Sequence, residues 1–259
     1  MIFTIIVGNR HVEIGLMKDH EPLLQAYVPT DQRKTALEFA FDLMHVLEAQ
    51  GVDPQHVKGG IISSVVPQLS LTMAQAAERV FGITPFIASV KKQHSLPIAL
   101  DDPNTLGTNL LADALAVRKY YGAPAIFADM GTATAVGVID GAGVYQGGVI
   151  MPGLQTSVNA LFGGTAALPS LQLTEASTVF GRETVACINA GTLFGAAGAL
   201  DGMLDRLSEE LGEVPVYITT GRPAELIAPY LSHQTVHDPA LTMKGLALLY
   251  EERLKEAES

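Results

Sequence analysis

The chain has 259 residues, of which 48% are hydrophobic, so it is long enough to bury one large core or two modest ones. Its formal net charge of −11 argues against a general nucleic-acid-binding surface, because such a surface needs clustered Lys and Arg. The single cysteine, Cys187, excludes an internal disulfide and a cysteine-based zinc site, and it is typical of a protein from a reducing compartment.

The chain begins with an apolar strand, a glycine-containing turn and a second strand. The first strand includes Ile6, the turn contains Gly8, Asn9 and Arg10, and the second strand extends to about Leu16. The opening apolar run is about six residues long, which is too short for the core of a signal peptide, and no later run is long enough to span a bilayer. We therefore expect a cytoplasmic protein without membrane or nucleic-acid partners.

A helix is predicted for residues 35–50, after a polar connection at residues 30–34. Its apolar side chains recur at intervals close to 3.6 residues, and Gly51 ends it. The residues that carry this pattern are Leu37, Phe41, Met44 and Leu47. Residues 69–81 are predicted to form a second helix, and residues 84–88 a strand.

A short buried strand is predicted for residues 60–67, where Pro67 ends it. The strand carries two adjacent serines, Ser63 and Ser64, at a position where a ligand could bind. Serines at such positions also satisfy neighbouring backbone groups, so the sequence leaves both roles open.

A polar, turn-rich segment at residues 101–109 leads into a helix predicted for residues 110–121. Asn109 lies near the start of this helix, where backbone amides attract anions, so a carboxylate or other negatively charged ligand is one interpretation. Simple capping by Thr108 or Asn109 is the other. Asp113 lies one helical turn further along, on the same face as Asn109.

A second strand–turn–strand pattern follows the junction at residues 122–124, where we place the boundary between domains at residues 1–121 and 122–259. Gly131 lacks the Cβ that would keep a backbone away from a phosphate, and the turn amides and the hydroxyls of Thr132 and Thr134 can donate to phosphate oxygens. Asp129 is placed to hold a metal-bound water near that phosphate. An ordinary hairpin with a capping Asp fits the same pattern.

The rest of the second domain alternates loops, helices and a strand. Four glycines and Pro152 within residues 143–154 predict a shaped loop between short strands. Residues 157–162 start a helix, which Leu168-Pro169 interrupts. A longer helix is predicted from Thr184 toward Leu211, then a strand at residues 214–220, a helix after Gly221, and a final helix from Met243.

The two strand–turn–strand patterns match each other. When Ile6 is set against Asp129, Gly8 falls on Gly131 and Asn9 on Thr132. A duplicated phosphate loop of this kind resembles the acetate and sugar kinase/heat-shock protein/actin superfamily. The resemblance implies an α/β fold of two similar actin-like, ribonuclease H-like domains, with a nucleotide cleft between them.

Taken in order, the motifs resemble those of the type III pantothenate kinases over nearly the whole chain. The most specific are Asp129-Met-Gly-Thr-Ala-Thr134, Gly147-Gly-Val-Ile-Met-Pro-Gly153 and the Leu168-Pro169 that follows. Three others add support: Gly181-Arg-Glu-Thr184, Ser63-Ser-Val-Val-Pro67 and Asp238-Pro-Ala-Leu-Thr-Met-Lys-Gly-Leu246.

This resemblance implies phosphorylation of pantothenate by ATP, the first step toward coenzyme A, with Mg²⁺ and a monovalent cation (K⁺ or NH₄⁺). It also implies a dimer whose acceptor pocket lies close to the dimer interface. The residues that it assigns to ATP and its phosphates are Gly8, Asn9, Arg10, Gly131, Thr132, Thr134 and Gly221. Those that it assigns to the substrate are Gly107, Thr108, Asn109, Leu110, Gly148 and Thr184, and the metal is assigned to Asp129.

The chain departs from the family pattern at catalytic positions. The first loop of the family reads Asp-x-Gly-Asn-Thr, and here it is Ile6-Val-Gly-Asn-Arg10. The family's Gly-x-Asp-Arg, with the general base and a substrate-contacting arginine, is here Gly107-Thr-Asn-Leu110. The third nucleotide motif, Thr-Gly-Gly, is here Thr220-Gly-Arg222. Asp129, Thr132 and Thr184 match the family pattern.

These departures predict weak or absent catalysis by the chain alone. A positioned general base contributes about 10²–10⁴ in rate, and the amide of Asn109 cannot take a proton. Asp113 is a candidate substitute base, although one helical turn displaces it by about 5.4 Å. Arg10 either binds the γ-phosphate or fills the phosphate site and excludes ATP.

Three hypotheses follow, ranked in this order. In the first, the chain is a degenerate subunit, or pseudokinase, that pairs with a catalytically intact paralogue. In the second, it is an active kinase of unusual geometry, either alone or as a homodimer, with Asp129 as its sole metal carboxylate. In the third, it is a non-enzymatic regulator that binds pantothenate, a nucleotide or a coenzyme A precursor.

Overall fold

The computed structural model describes residues 1–92, 94–163 and 173–258. The strands in these residues are β1 Ile2–Val7, β2 His11–Lys18, β3 Glu21–Pro29, β4 Gly60–Ser64, β5 Phe86–Ile87, β6 Ala125–Met130, β7 Ala133–Ile139, β8 Tyr145–Pro152, β9 Val216–Thr220 and β10 Val236–His237. The helices are α1 Ala36–Ala49, α2 Pro67–Phe81, α3 Thr108–Tyr120, α4 Leu154–Gly163, α5 Thr184–Leu211, α6 Arg222–Ile227 and α7 Leu241–Glu258. None of the helices in these ranges combines the length and apolarity needed to cross a membrane.

The chain forms two compact units, each built on one five-stranded sheet. Unit 1 comprises Met1–Leu96, Asp101–Ala116 and Ala240–Ser259, and unit 2 comprises Pro97–Leu100 and Val117–Pro239. The strand order is β3-β2-β1-β4-β5 in unit 1 and β10-β9-β6-β7-β8 in unit 2. Read from β8, the second order repeats the first, with three antiparallel strands followed by two parallel ones. The predicted duplication is therefore present in the topology.

Strand register confirms the alignment of the two hairpins. Ile6 is the fifth residue of β1 and pairs with Glu13 on β2 and Ser63 on β4. Asp129 is the fifth residue of β6 and pairs with Ala135 on β7 and Thr220 on β9. Ile6 and Asp129 thus occupy equivalent positions.

Helix α1 has the predicted position but buries a different face. Its N-cap is Thr35, which forms a reciprocal capping box with Glu38. The residues that pack into the core of unit 1 are Phe39, Ala40, Leu43 and Leu47. Three of the four residues that predicted the helix are instead exposed, by 53%, 51% and 42%: Leu37, Phe41 and Met44. Both faces of α1 are apolar, so periodicity alone could not identify the buried one.

The glycine-rich segment predicted as a loop is an eight-residue strand, β8. Gly148 lies opposite Gly137 on β7, and a Cβ on Gly148 would be 1.9 Å from the carbonyl oxygen of Val136. The glycines here allow close contact between strands, which is why the loop prediction was wrong.

The last helix, α7, belongs to unit 1, although the predicted boundary placed it with the second domain. A Cβ on Gly245 would be 1.9 Å from the carbonyl oxygen of Ala112 on α3, so the backbones of α7 and α3 are in close contact. Met243 packs beside Gly15 on β2. The predicted division at residues 121 and 122 differs from the structure because the chain returns to its first unit.

Candidate active site

The turn between β6 and β7 is held in one conformation by its own backbone and by the start of α4. The N–H of Gly131 donates to the carbonyl of Ala133 at 2.8 Å. The carbonyl of Thr132 accepts from the N–H of Gly153 at 3.1 Å and from the hydroxyl of Thr156 at 2.6 Å. The hydroxyl and N–H of Thr132 make no hydrogen bond within the described ranges, so this residue has two donors to offer to a ligand.

The predicted site glycines fall into two groups. A Cβ on Gly107 would meet no atom within 4 Å, and one on Gly131 would meet only the carbonyl of Ala133 at 3.7 Å. Packing therefore requires no glycine at these two positions, and both leave room for a ligand. In contrast, a Cβ on Gly8 would be 2.9 Å from the carbonyl oxygen of His11, and one on Gly221 would be 2.2 Å from that of Met130. Glycine at these positions is needed for the fold itself.

Asp129 is a partly buried carboxylate at the end of β6. Its side chain makes no hydrogen bond or ion pair with any residue that the structure describes. Burial raises the pKa of Asp129 from 3.8 to about 6. A desolvated carboxylate without a counter-charge fits a cation, and Mg²⁺ binds through one or two carboxylates together with phosphates. The described residues contain no cluster of three His, Cys, Asp or Glu side chains that could hold a metal without such phosphates.

Thr134 does not share the face of Asp129. It pairs with Met130, and side chains alternate between the faces of a strand, so both lie on the face opposite Asp129. Thr134 is only 4% exposed and lines a cavity of about 620 Å³ between β8, α4 and α5, together with Met130 and Met151. The expectation that its hydroxyl donates to the same phosphate as Thr132 is not supported by this geometry.

The equivalent turn in unit 1 has no exposed carboxylate at its first position. Ile6 is buried there. The turn is closed by a bond from the N–H of Gly8 to the carbonyl of His11 at 3.0 Å, and the hydroxyl of Thr30 donates to the carbonyl of Gly8 at 2.8 Å. Asn9 is exposed and Arg10 is partly buried.

The start of α3 is tied to β4 by three polar side chains. The hydroxyl oxygen of Ser63 lies 2.6 Å from the hydroxyl oxygen of Thr108 and 2.6 Å from Oδ1 of Asn109. Ser63 is fully buried, whereas Thr108, Asn109 and Leu110 are partly exposed. The structure thus joins the serine motif to the residue at the general-base position.

Asp113 lies in the interior of unit 1 and is fully buried. Its Oδ1 accepts the hydroxyl of Thr242 at 2.6 Å, which links α3 to α7. A general base must reach the proton that it removes, so this placement does not support Asp113 as a substitute base. Asp113 is the only carboxylate on α3.

The other predicted site residues lie in unit 2. Thr184 is the first residue of α5, as predicted, and is exposed. Glu183 caps that helix by accepting from the N–H groups of Val185 and Ala186. Gly148 lies in β8 and lines a second cavity, of about 610 Å³. Leu168 and Pro169 lie outside the described residues.

Two contacts of this region were missed from sequence. Ser63 was considered as a ligand contact, but its bonds to Thr108 and Asn109 depend on a tertiary approach of β4 and α3 that no local pattern reveals. Glu13 was not considered, yet it pairs with Ile6 across the hairpin and accepts from Gln25 at 2.8 Å. The three-residue turn implied this register, so counting along the predicted hairpin would have found Glu13.

Comparison with known proteins identifies the family. A sequence profile described as "Type III pantothenate kinase" matches residues 2–206. The type III pantothenate kinase of Listeria innocua is 36% identical over 250 residues, which is 96% of each chain. That of Moorella thermoacetica is 34% identical over 251 residues, covering 97% of this chain and 99% of its own. This chain belongs to the type III pantothenate kinase family.

Solved structures support the fold at low sequence identity. The activator of the 2-hydroxyisocaproyl-CoA dehydratase from Clostridium difficile, with bound ADPNP, aligns with a TM-score of 0.59 at 10% identity, over 99% of this chain and 96% of its own. Component A of the (R)-2-hydroxyglutaryl-CoA dehydratase from Acidaminococcus fermentans aligns with a TM-score of 0.56 at 15% identity, over 97% and 99%. The predicted α/β fold with two similar actin-like domains is confirmed.

Proposed function

We propose that this pantothenate kinase family member is a catalytically degenerate subunit that binds Mg²⁺-ATP and pantothenate and acts with an intact paralogue in a heteromeric, cytoplasmic kinase. The observation that carries the proposal is residue 109. An amide stands where the family resemblance expects the general base, and Ser63 holds its carbonyl oxygen. The amide cannot accept the proton of the substrate hydroxyl, and a positioned base contributes about 10²–10⁴ in rate.

Unit 1 has no replacement carboxylate at either expected position. Ile6 is apolar and buried, and the only acid on α3, Asp113, is buried and bonded to Thr242. Loss of both acidic groups from one reaction path supports weak turnover by the chain alone. It is the main reason to place an intact subunit beside it.

Unit 2 keeps the features expected of nucleotide binding. Asp129 would hold Mg²⁺, which supplies neutralisation of the phosphate charge when bound. Thr132 would donate to a phosphate oxygen from a turn whose backbone is already ordered by Gly153 and Thr156. The open position at Gly131 would allow the phosphate to approach the backbone. A monovalent cation and a role of Thr184 at the acceptor remain part of this proposal through the family resemblance.

The test compares the chain alone with the chain plus its intact paralogue. We expect little ADP release from ATP and pantothenate by the purified chain, and activity above that of either protein when the two are co-purified. The double reversion Ile6→Asp with Asn109→Asp should raise the activity of the chain alone. Full activity of the unmodified chain alone would refute the proposal, and ligand binding without turnover in either setting would indicate a regulator.

A second candidate, a slow kinase that acts alone, is favoured by Asp129. This carboxylate is partly buried and unpaired within the described residues, so one metal-binding group is intact. The slow-kinase hypothesis predicts measurable turnover by the chain alone that Asp129→Asn abolishes. Asp140→Asn is the matched control, because Asp140 is bonded to Ala142, Val144 and Gln146 in a different turn.

A further inference from the structure

The hydroxyl of Ser63 determines the orientation of the Asn109 side chain. Ser63 is fully buried on β4, and its oxygen lies 2.6 Å from both Thr108 Oγ1 and Asn109 Oδ1. A serine hydroxyl has one proton to donate, whereas an amide carbonyl oxygen can only accept. The Ser63 proton therefore points to Asn109, and the Thr108 hydroxyl donates to Ser63.

This direction leaves the amide nitrogen of Asn109 as the group that can meet a ligand. Its Nδ2 has no acceptor in the described part of the chain. Asn109 is partly exposed, so the nitrogen can be reached from solvent. The first turn of α3 contains no acidic residue, and Asp113, one turn further on, is directed to Thr242. Residue 109 thus presents the N–H donors of its amide to a ligand, while its oxygen is directed to Ser63.

An aspartate in the same orientation would present the opposite polarity. Its Oδ1 would keep the Ser63 proton, and its Oδ2 would accept the proton of an alcohol. The same oxygen would repel a phosphate, because both groups are negatively charged. The amide reverses both effects, since an N–H bonds to a charged phosphate oxygen more strongly than to a neutral alcohol oxygen.

We infer that Asn109, positioned by Ser63, makes the acceptor site of this chain selective for a phosphate monoester over the corresponding alcohol, so that it binds phosphorylated pantothenate more tightly than pantothenate. This inference rests on the proposed function, which places the reacting group of pantothenate beside residue 109. Preferential binding of the reaction product would suit a subunit that senses the product while its partner subunit performs catalysis. Ser63 acts here as a positioning residue.

The experiment is calorimetric titration of the full chain with pantothenate and with phosphorylated pantothenate, without nucleotide. We expect the wild-type chain to bind the phosphorylated form about 10-fold more tightly, the scale of one charge-assisted hydrogen bond. Asn109→Asp should remove or reverse this preference, because the added negative charge weakens binding of the phosphorylated ligand. Ser63→Ala should reduce it several-fold, because the amide can then rotate. Asn109→Ala should remove the preference without adding charge, and it serves if the aspartate variant fails to fold.

The matched control is Asn159→Asp, the same substitution on α4. Asn159 accepts from Gln155 at 2.9 Å, and an aspartate keeps that acceptor, so the preference should remain. Equal or tighter binding of pantothenate by the wild-type chain overturns the inference, as does an Asn159→Asp effect as large as that of Asn109→Asp. If the chain is active together with the paralogue but binds pantothenate and phosphorylated pantothenate with equal affinity, only this inference is refuted and the proposed function stands. If neither ligand binds, both this inference and the assignment of pantothenate as a ligand of this chain are refuted.

Discussion

Replacing Asp129 with Asn should stabilise the protein while it weakens nucleotide-dependent metal binding. Asp129 is partly buried and has no described partner, and burial raises its pKa to about 6. The folded protein therefore holds a charge at pH 7 that its surroundings do not compensate. An amide of the same shape removes that charge.

The expected gain in the free energy of unfolding follows from the pKa shift of Asp129. The pKa rises from 3.8 to about 6 on folding, and each unit corresponds to about 1.4 kcal/mol, so the ionised carboxylate costs about 3 kcal/mol at neutral pH. The unfolded chain loses the proton first, so wild-type stability should fall as pH rises from about 4 to about 6. Below this window both states are protonated and the difference between Asp129→Asn and wild type should disappear, so at pH 4, near the lower end of the window, only a small part of it should remain.

The assay is urea denaturation of both proteins at pH 7 and pH 4, followed by thermal denaturation with and without Mg²⁺-ATP. We expect Asp129→Asn to be clearly more stable than wild type at pH 7 and nearly equal to it at pH 4, and we expect Mg²⁺-ATP to stabilise the wild type alone. Asp140→Asn is the contrasting control, since Asp140 accepts from Ala142, Val144 and Gln146 and should be destabilised by the same change. The reasoning fails if Asp129→Asn is less stable than wild type at pH 7, or if its advantage at pH 4 is as large as at pH 7.

Two further predictions concern stability within single units. Hydrogen bonding of His233 Nδ1 to Asp201 at 2.9 Å raises the pKa of His233 above 6.5. The stabilisation that this ion pair contributes is complete below pH 6.5 and is lost as the pH rises through the raised pKa. Urea denaturation should therefore show that His233→Gln lowers the free energy of unfolding by about 1–2 kcal/mol at pH 5.5 and by less at pH 8.5. An equal loss at both pH values would contradict this. Gly245→Ala should lower the melting temperature, because its Cβ would be 1.9 Å from the Ala112 carbonyl, whereas Gly195→Ala on α5 meets no atom within 4 Å and should gain up to about 1 kcal/mol. The reverse order of these two variants would show that the α3–α7 contact is less tight than described.

Local patterns predicted those features that depend on neighbouring residues in the chain. The turn at Gly131 and the helix from Thr184 to Leu211 were found at their observed positions because glycine-containing turns and helical periodicity act within a few residues. The alignment of Ile6 with Asp129 also held in the strand registers. The residue types alone thus identified the duplicated hairpins and the absence of a carboxylate at Ile6.

Periodicity failed where a segment had two possible apolar partners. Leu37, Phe41 and Met44 follow the same spacing as the core residues Phe39 and Leu43, yet they are the exposed set. The packing of α1 against α2 and the sheet determines which of the two faces is buried. The face of Thr134 was in principle predictable, because pairing with Met130 and strand alternation place it opposite Asp129.

The sequence by itself determined the family, the paired hairpins and the chemical identity of residues 6, 109 and 129. Only the tertiary structure decided that Ser63 orients Asn109, that Asp113 is committed to Thr242, and that α7 returns to unit 1. These contacts join residues 46 to 129 positions apart, and their formation depends on how whole elements pack rather than on any local preference.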